Sequence, residues 1–289
     1  MYHLIYNPVA GRRRIPDALS RVRSAFERSG EPLQEFVTAG PGDALSYASS
    51  LPPDAVAIAM GGDGTVQEVA AACAGSRRVL GILPAGSGDD FAFALGIDRH
   101  DLDSAIRRVV RGEVREVDTA TANDRLFVNA AGTGFDADVA RTALGAPWPL
   151  REKSAYLYAI VRTLSRLTSV PCRVRLDGEL LHQGPALLVS TQNGPRSGGS
   201  FPLAPHASVD DGLLDVVVAG KFGRIGTLGV LPRVMAGTHL DHPLVRLFRG
   251  RQVDIEWETP RPMHLEGELL QPSSRYEIEI SPKSLRVLV

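Results

Sequence analysis

Cysteine is nearly absent from the 289 residues: Cys73 and Cys172 are too few for a disulfide framework or a zinc site. Cys73 falls on an apolar, helix-like stretch, where it is expected to pack as a small hydrophobe, and a reducing cytoplasm fits this usage. Lysine is almost as scarce. Lys153, Lys221 and Lys283 are the whole set and none follows a glycine-rich loop, which excludes a P-loop NTPase. No window approaches the roughly 18 consecutive apolar residues that would span a bilayer. The start, MYHLIYNPVAGRRR, carries its charges after a short apolar run, so neither a signal peptide nor an anchor is expected and any membrane contact is peripheral. An excess of one charge is lacking too. With 32 Lys+Arg against 33 Asp+Glu the formal charge is -1, which leaves no basic field for nucleic acid, although Arg12, Arg13 and Arg14 cluster locally.

What is present is enough apolar sequence, 44%, for one large core or two modest ones, and two domains are the expectation. From Met1 to about Val117 short apolar runs alternate with helical periods: Tyr2 to Tyr6, Pro16 to Ser29, Glu35 to Thr38, Asp43 to Ser50, Ala55 to Met60, Val79 to Leu83 and Leu102 to Arg111. Such alternation predicts an α/β domain with a parallel sheet, whose ligands gather at the carboxyl ends of the strands. After Val117 strand-like runs dominate, at Thr119 to Ala122, Leu126 to Ala130, Arg173 to Leu176, Ala186 to Thr191, Leu213 to Ala219, Val253 to Glu258 and Arg275 to Ile280. Two helical stretches interrupt this mainly β half, Lys153 to Leu167 and Phe222 to Met235, and their apolar stripes are expected to cover a sheet rather than to touch a membrane. Gly145 to Pro149, GAPWP, reads as an ordered loop that could border a substrate cleft, with Trp148 equally well explained by packing.

The run Gly61-Gly62-Asp63-Gly64-Thr65 lies between a strand-like stretch and a helix-like one (Val66 to Ala74), the placement of a phosphate loop. Glycines permit positive φ and close approach of phosphate to backbone N–H groups, and the helix N-terminus adds its partial positive charge. A carboxylate there would repel a bare phosphate, so Asp63 argues for a Mg-bound nucleoside triphosphate; the plain alternative is a glycine turn that contains an aspartate. Gly132-Thr133-Gly134-Phe135-Asp136-Ala137 fits GxGxxA, but no acidic residue ends a second strand at the distance a ribose requires, so a structural turn or part of a substrate wall is expected. Asp177-Gly178 between two apolar runs is a strong hairpin signal, and Asp177-Gly178-Glu179 is read as a turn.

Four motifs join the glycine loop. Asn7-Pro8-Val9-Ala10-Gly11 follows the first strand, Thr38 with Gly42-Asp43-Ala44 follows the second, Leu83-Pro84-Ala85-Gly86-Ser87-Gly88-Asp89-Asp90-Phe91-Ala92 follows the strand after GGDGT, and Leu265-Glu266-Gly267-Glu268 lies near the end. In that order and spacing, over nearly the whole chain, they resemble the diacylglycerol kinase catalytic-domain family of lipid kinases, which includes the sphingosine and ceramide kinases.

The resemblance implies an α/β nucleotide-binding domain (1–118) and a mainly β, sandwich-like lipid domain (119–275), with 276–289 returning to the first. It also implies ATP as co-substrate with Mg²⁺, and a lipid hydroxyl as acceptor. Nucleotide contacts carried over are Asn7, Thr38, Gly61, Gly62, Asp63, Gly64, Thr65, Val66, Gln67, Glu68 and Ser87, with Asp63 also catalytic. Relatives often read GTxND where this chain has Gly86-Ser87-Gly88-Asp89-Asp90, so Asp89 replaces an Asn donor. The family's general base is an Asp in a late DGE motif, and Glu266 stands there. A carboxylate need only accept the hydroxyl proton, but Glu is one methylene longer. His264 would share a strand face with Glu266 and could tune it, against the plainer reading of a surface histidine. The segment Ser208 to Asp215 matches a structural Mg site formed by the Asp211 side chain and the carbonyls of Ser208 and Leu213; an acidic turn explains the same letters. A lipid substrate, peripheral membrane contact and a cytoplasmic location go with this reading, and the oligomeric state, including a homodimer, stays open. The rivals are an NAD kinase, which also uses GGDGT, and a nucleotide-binding regulatory relative with little catalysis.

Overall fold

The structure, a computed structural model, describes residues 1–10, 15–147, 150 and 152–289, without the side chains of residues 152, 153 and 156. Gly11, the cluster of Arg12, Arg13 and Arg14, and Trp148 lie outside the described residues. The chain forms two compact units, one of Met1–Thr119, Ser208–Gly212 and Ser281–Val289, the other of Ala120–Ala207 and Leu213–Ile280. The segment Ser208–Gly212, read from sequence with the second domain, belongs to the first, and the return begins at Ser281.

The first unit is built from β1 (Tyr2–Tyr6), α1 (Ile15–Ser29), β2 (Leu33–Val37), α2 (Asp43–Ser50), β3 (Val56–Gly61), α3 (Asp63–Cys73), β4 (Val79–Pro84), α4 (Asp90–Ala94), α5 (Leu102–Arg111) and the start of β5 (Val114–Ala122). Its strands run parallel in the order β2-β1-β3-β4. β3 and β4 are almost entirely buried, which is why both read as unbroken apolar runs. α1 buries Ile15, Ala18, Leu19, Val22 and Phe26, the one-face spacing of a surface helix. α5 begins at Asp101, whose side chain accepts from Ser104 N, and stops at Gly112 in the left-handed region.

The second unit holds β6 (Arg125–Phe127), β7 (Ala130–Gly134), α6 (Phe135–Leu144), α7 (Glu152–Ser165), β8 (Val170–Leu176), β9 (Glu179–Ala186), β10 (Leu188–Gln192), β11 (Leu214–Ala219), α8 (Arg224–Ala236), a 3-10 turn at His239–Asp241, β12 (Val245–Gly250), β13 (Gln252–Arg261), β14 (Met263–Leu265) and β15 (Glu268–Leu269). β16 (Ser273–Leu288) starts in this unit, against β13, and ends in the first, where Arg286 and Val287 pair in parallel with Val79 and Leu80 of β4. The sheet β12-β11-β10-β7-β14-β15 has two apolar faces. One meets β8 and β13 across a core that includes Val174, Val189, Val216, Ile255, Met263 and Leu265, which makes a sandwich. The other is covered by α6, α7 and α8 through Phe135, Val139, Ala159, Leu164, Val217 and Val230. The helical stripes do only part of the covering expected of them: Leu157 and Val161 of α7 and most of the α8 surface face outward.

Asp177 and Gly178 both take positive φ and join β8 to β9, so the literal DGE is a hairpin turn as its letters predict. Asp177 Oδ1 also accepts from the N–H groups of Arg251 and Gln252, at 2.9 and 2.8 Å. The GxGxxA run is β7 itself with the first turn of α6. It pairs antiparallel on both sides, which is not a dinucleotide-binding crossover.

Candidate active site

Parallel register brings the four loop-bearing strand ends of the first unit to one edge. Thr38 N donates to Tyr6 O at 3.0 Å, Asn7 N to Met60 O at 3.1 Å and Ala85 N to Gly61 O at 2.9 Å, so Thr38, Asn7, Gly61 and Ala85 stand in a row. The strand order reverses between β1 and β3, a switch point of the kind where open α/β sheets collect ligands. Asn7 Oδ1 accepts from Val9 N at 3.0 Å and shapes the first loop into an Asx turn.

α3 begins at Asp63, so its unpaired N–H groups point out of the glycine loop. The glycines do not serve positive φ here. Gly62 is extended, at φ -93 and ψ -172, and neither Gly61 nor Gly64 has positive φ. What they supply is space: a Cβ on Gly61 would lie 2.6 Å from Thr65 Oγ1, and one on Gly86 would lie 2.6 Å from Gly62 Cα. The glycine loop and the β4 loop therefore meet backbone to backbone.

Asp63 joins the same two loops. Its Oδ1 accepts from Asp90 N at 2.8 Å and its Oδ2 from Asp89 N at 2.9 Å. Burial holds its carboxyl above the ordinary range, and the N–H groups of Asp90, Asp89, Asp63 itself and Phe91 pull it back down. Asp89, at φ 53, turns back so that Oδ1 accepts from Gly86 N at 3.0 Å, while its buried Oδ2 has no hydrogen-bond partner. Burial, reinforced by the charge of Asp63, pushes the Asp89 carboxyl up to about 6; the Gly86 N–H and Arg99 oppose this and Asp90 adds to it. Ser87 is exposed, and its carbonyl accepts from Arg99 Nη1 at 2.6 Å. Further along α3, Val66 and Gln67 are buried, and Glu68 turns to α2, accepting from Gly42 N at 2.8 Å and Leu45 N at 3.2 Å. It caps a helix whose own N-cap glycine has no side chain.

In the second unit Glu266 is not on a strand face. It occupies the left-handed region, φ 52, in the turn between β14 and β15. Its Oε1 accepts from three consecutive N–H groups, Val128 at 3.1 Å, Asn129 at 2.6 Å and Ala130 at 3.1 Å, and Glu266 N donates to Ala130 O at 3.0 Å. His264, expected at the surface, is buried. It pairs across the strands with Gly132, its Nδ1 faces Gly267 N at 3.4 Å and its Nε2 lies 3.4 Å from Asp136 Oδ2. Gly132 is glycine because Asp136 and His264 fill the volume of its side chain: a Cβ would overlap Asp136 Oδ2 and lie 2.6 Å from His264 Nε2.

The acidic turn belongs to the first unit up to Gly212, and Leu213 to the second. Ser208 Oγ donates to Asp210 Oδ1 at 2.6 Å and Arg115 pairs with the same carboxylate; together they hold Asp210 below the usual carboxylate range. Asp211 is exposed. Among the described residues no group of three or more His, Cys, Asp or Glu side chains is arranged to hold a metal ion. The residue that organises the turn is one that sequence reasoning passed over, the fully buried Asp118 of β5, whose oxygens accept from Gly212 N at 2.7 Å and Lys283 N at 2.8 Å. In VREVDTATA this Asp stands near Arg115 and Glu116 in a strand of mixed polarity, so the letters carry no signal that marks it.

A parallel sheet with loops at its switch point and a helix-backed β-sandwich are the architecture of the lipid and NAD kinases. Residues 1–122 match the family described as the diacylglycerol kinase catalytic domain, and residues 129–289 match the YegS C-terminal NAD kinase beta sandwich-like domain. The chain belongs to the diacylglycerol kinase catalytic-domain family of lipid kinases and is a phosphotransferase with ATP as co-substrate. It is 30% identical over 290 residues to a diacylglycerol kinase of Mycobacterium tuberculosis, covering 98% of this chain and 93% of that one. It is 33% identical over 273 residues to the lipid kinase YegS of Escherichia coli, covering 90% and 87%. A crystal structure of a diacylglycerol kinase from Bacillus anthracis has the same fold, with a TM-score of 0.75 at 23% identity over 99% of this chain and 96% of that one. An NAD kinase from Archaeoglobus fulgidus in complex with ATP shares the fold more distantly, with a TM-score of 0.54 at 11% identity over 100% and 94%.

Proposed function

We propose that this chain transfers the γ-phosphoryl group of Mg-ATP to a hydroxyl of diacylglycerol or a related lipid. The observation that carries the reading is the edge where Thr38, Asn7, the glycine loop and the β4 loop align at the N-terminus of α3, in a chain of the lipid-kinase family. Backbone N–H groups at Gly62 to Thr65, with Asn7, Thr38 and Ser87, would receive the phosphates. The half-buried carboxylate of Asp63 holds Asp89 and Asp90, so the part assigned to Asp63 is to keep the β4 loop in place against the phosphate loop. Mg²⁺ would enter as the counter-ion of the phosphates, which would supply most of its ligands.

Glu266 is the proposed general base. The lipid hydroxyl oxygen bonds to the γ-phosphorus, the bond from that phosphorus to the β–γ bridging oxygen breaks, ADP departs, and the hydroxyl proton passes to the Glu266 carboxylate. Three consecutive N–H groups donating to Oε1 fix where the carboxylate sits. The same pinning favours a second reading, a weak transferase in which Glu266 chiefly holds the Val128–Ala130 backbone. The acceptor resides in a bilayer, which makes contact with the membrane peripheral; no helix among the described residues is long and apolar enough to cross one.

Radiolabelled ATP offered with a panel of lipids and NAD tests the reading. A labelled phospholipid is expected, and labelled NADP with no labelled lipid would move the chain to the NAD-kinase reading. Glu266→Gln retains the Oε1 acceptor, so the variant should fold and bind ATP nearly as the parent does while losing lipid phosphorylation. Asp177→Asn, in the hairpin, should be close to neutral. Full activity in Glu266→Gln would remove Glu266 from proton transfer.

A further inference from the structure

α8 is an unusual helix for a folded unit. Its sequence, RIGTLGVLPRVMA, has no acidic residue and no polar face, yet of its thirteen residues only Thr227 and Val230 are fully buried. The residues turned outward, Ile225, Leu228, Gly229, Pro232 and Met235, recur at helical spacing and form one stripe, with Ile225 87%, Met235 69% and Leu228 51% exposed. α7 touches α8 and repeats the pattern: Leu164 and Ala159 face the core, while Leu157 and Val161, one turn apart, are 63% and 59% exposed. Single exposed leucines need no explanation; two neighbouring helices that each turn an apolar stripe outward do.

The charges on the two helices past their first residue have one sign, with Glu152 opening α7 and Asp241 in the turn after α8 as the acidic ends. Arg162, Arg166, Lys221, Arg224 and Arg233 are all exposed. No Asp or Glu occurs from Lys153 to Leu176 or from Val216 to Leu240, in a chain whose 32 Lys+Arg and 33 Asp+Glu nearly cancel as a whole. An apolar stripe flanked by cations is the chemistry of a helix lying in the headgroup region of an anionic bilayer. A second copy of this chain suits it poorly, because a two-fold interface sets the same patch against itself and would bring these cations together.

The geometry points to the outer faces of α7 and α8 as the surface by which this protein docks on anionic phospholipid, with Ile225, Leu228, Met235, Leu157 and Val161 entering the interface and Arg162, Arg166, Lys221, Arg224 and Arg233 meeting phosphate headgroups. The inference deepens the lipid-acceptor reading and rests on it only for its purpose, since docking needs no nucleotide.

Flotation of the full chain without ATP tests it, using vesicles of phosphatidylcholine alone and of phosphatidylcholine mixed with phosphatidylglycerol. The parent should float with the mixed vesicles and be released by salt. The double variant Ile225→Glu with Leu228→Glu, and separately Arg224→Glu with Arg233→Glu, should each lower partitioning on the order of tenfold or more. Melting temperatures and phosphorylation of a water-soluble short-chain diacylglycerol should stay as in the parent. Equal flotation of parent and variants overturns the proposal, as does a parent that ignores the mixed vesicles. A dimer in solution that the same variants split would assign the face to self-association and overturn it too. Vesicle binding with no lipid phosphorylated would leave the docking face standing and remove the kinase reading; short-chain phosphorylation without vesicle binding would do the reverse.

Discussion

Both oxygens of Asp63 are engaged by backbone N–H groups of the β4 loop, which changes what its replacement should do. Asn offers one acceptor oxygen and sets an N–H₂ group against a donor. Asp63→Asn is therefore expected to lower stability by about 1–3 kcal/mol as well as to weaken nucleotide binding. Melting curves and a nucleotide titration of the same sample check this; a variant that melts with the parent would mean that the loop does not depend on the carboxylate. Asp89 leads to a pH signature. Its carboxyl is raised from 3.8 to about 6, so between those values the folded chain binds more protons than the unfolded one and this group's contribution to stability is lost as pH rises through the window. Asp89→Asn abolishes that contribution. The difference in melting temperature between variant and parent should shift in the variant's favour from about pH 4 to about pH 7, and a constant difference would show that Asp89 titrates as an ordinary carboxylate.

At the scale of elements, the glycine loop and the β4 loop are one object, because Gly62 and Gly86 touch through their backbones. Gly86→Ala sets a methyl against main chain that cannot rotate away. It should cost about 1–3 kcal/mol and reduce nucleotide affinity, read by denaturation and by the same titration. The elements that carry periodicity were legible in the sequence: α2 and α5 fall where the apolar spacing puts them, and the buried strands β1, β3 and β4 lie within a residue or two of the apolar runs. α4, β14 and β15 were not, since segments of two to five residues are too short to show a period. β9 was signalled only by the hairpin turn at Asp177-Gly178 and not delimited: mostly exposed or half-buried, it lacks an apolar face. The order of the site loops could be read from their glycines, but their hydrogen bonds could not. Nothing in the letters GGDGT says that Asp63 reaches residues 26 and 27 positions away, or that Gly132 leaves room for Asp136 and His264. Such pairings belong to the packed chain and leave no local pattern.

At the scale of the molecule, three separate stretches of sequence make the first unit, and Asp118 ties the two later ones to the strand that carries it. Asp118→Ala leaves Gly212 N and Lys283 N without their acceptor and should cost about 2–4 kcal/mol. Denaturant titration and limited proteolysis near Ser208–Gly212 measure this, and an unchanged midpoint would show that the two segments hold their places without it. The last of these stretches places Leu285, Val287 and Leu288 in the core and pairs β16 with β4. A ribosome therefore makes the first four strands of the parallel sheet long before the fifth. While the roughly 200 residues between Pro84 and Arg286 emerge, the flank of β4 is a bare edge of the kind that recruits other chains. The half of the protein translated first is the half that is completed last, and a message cut short just before Ser281 would encode the whole of the second unit but not of the first.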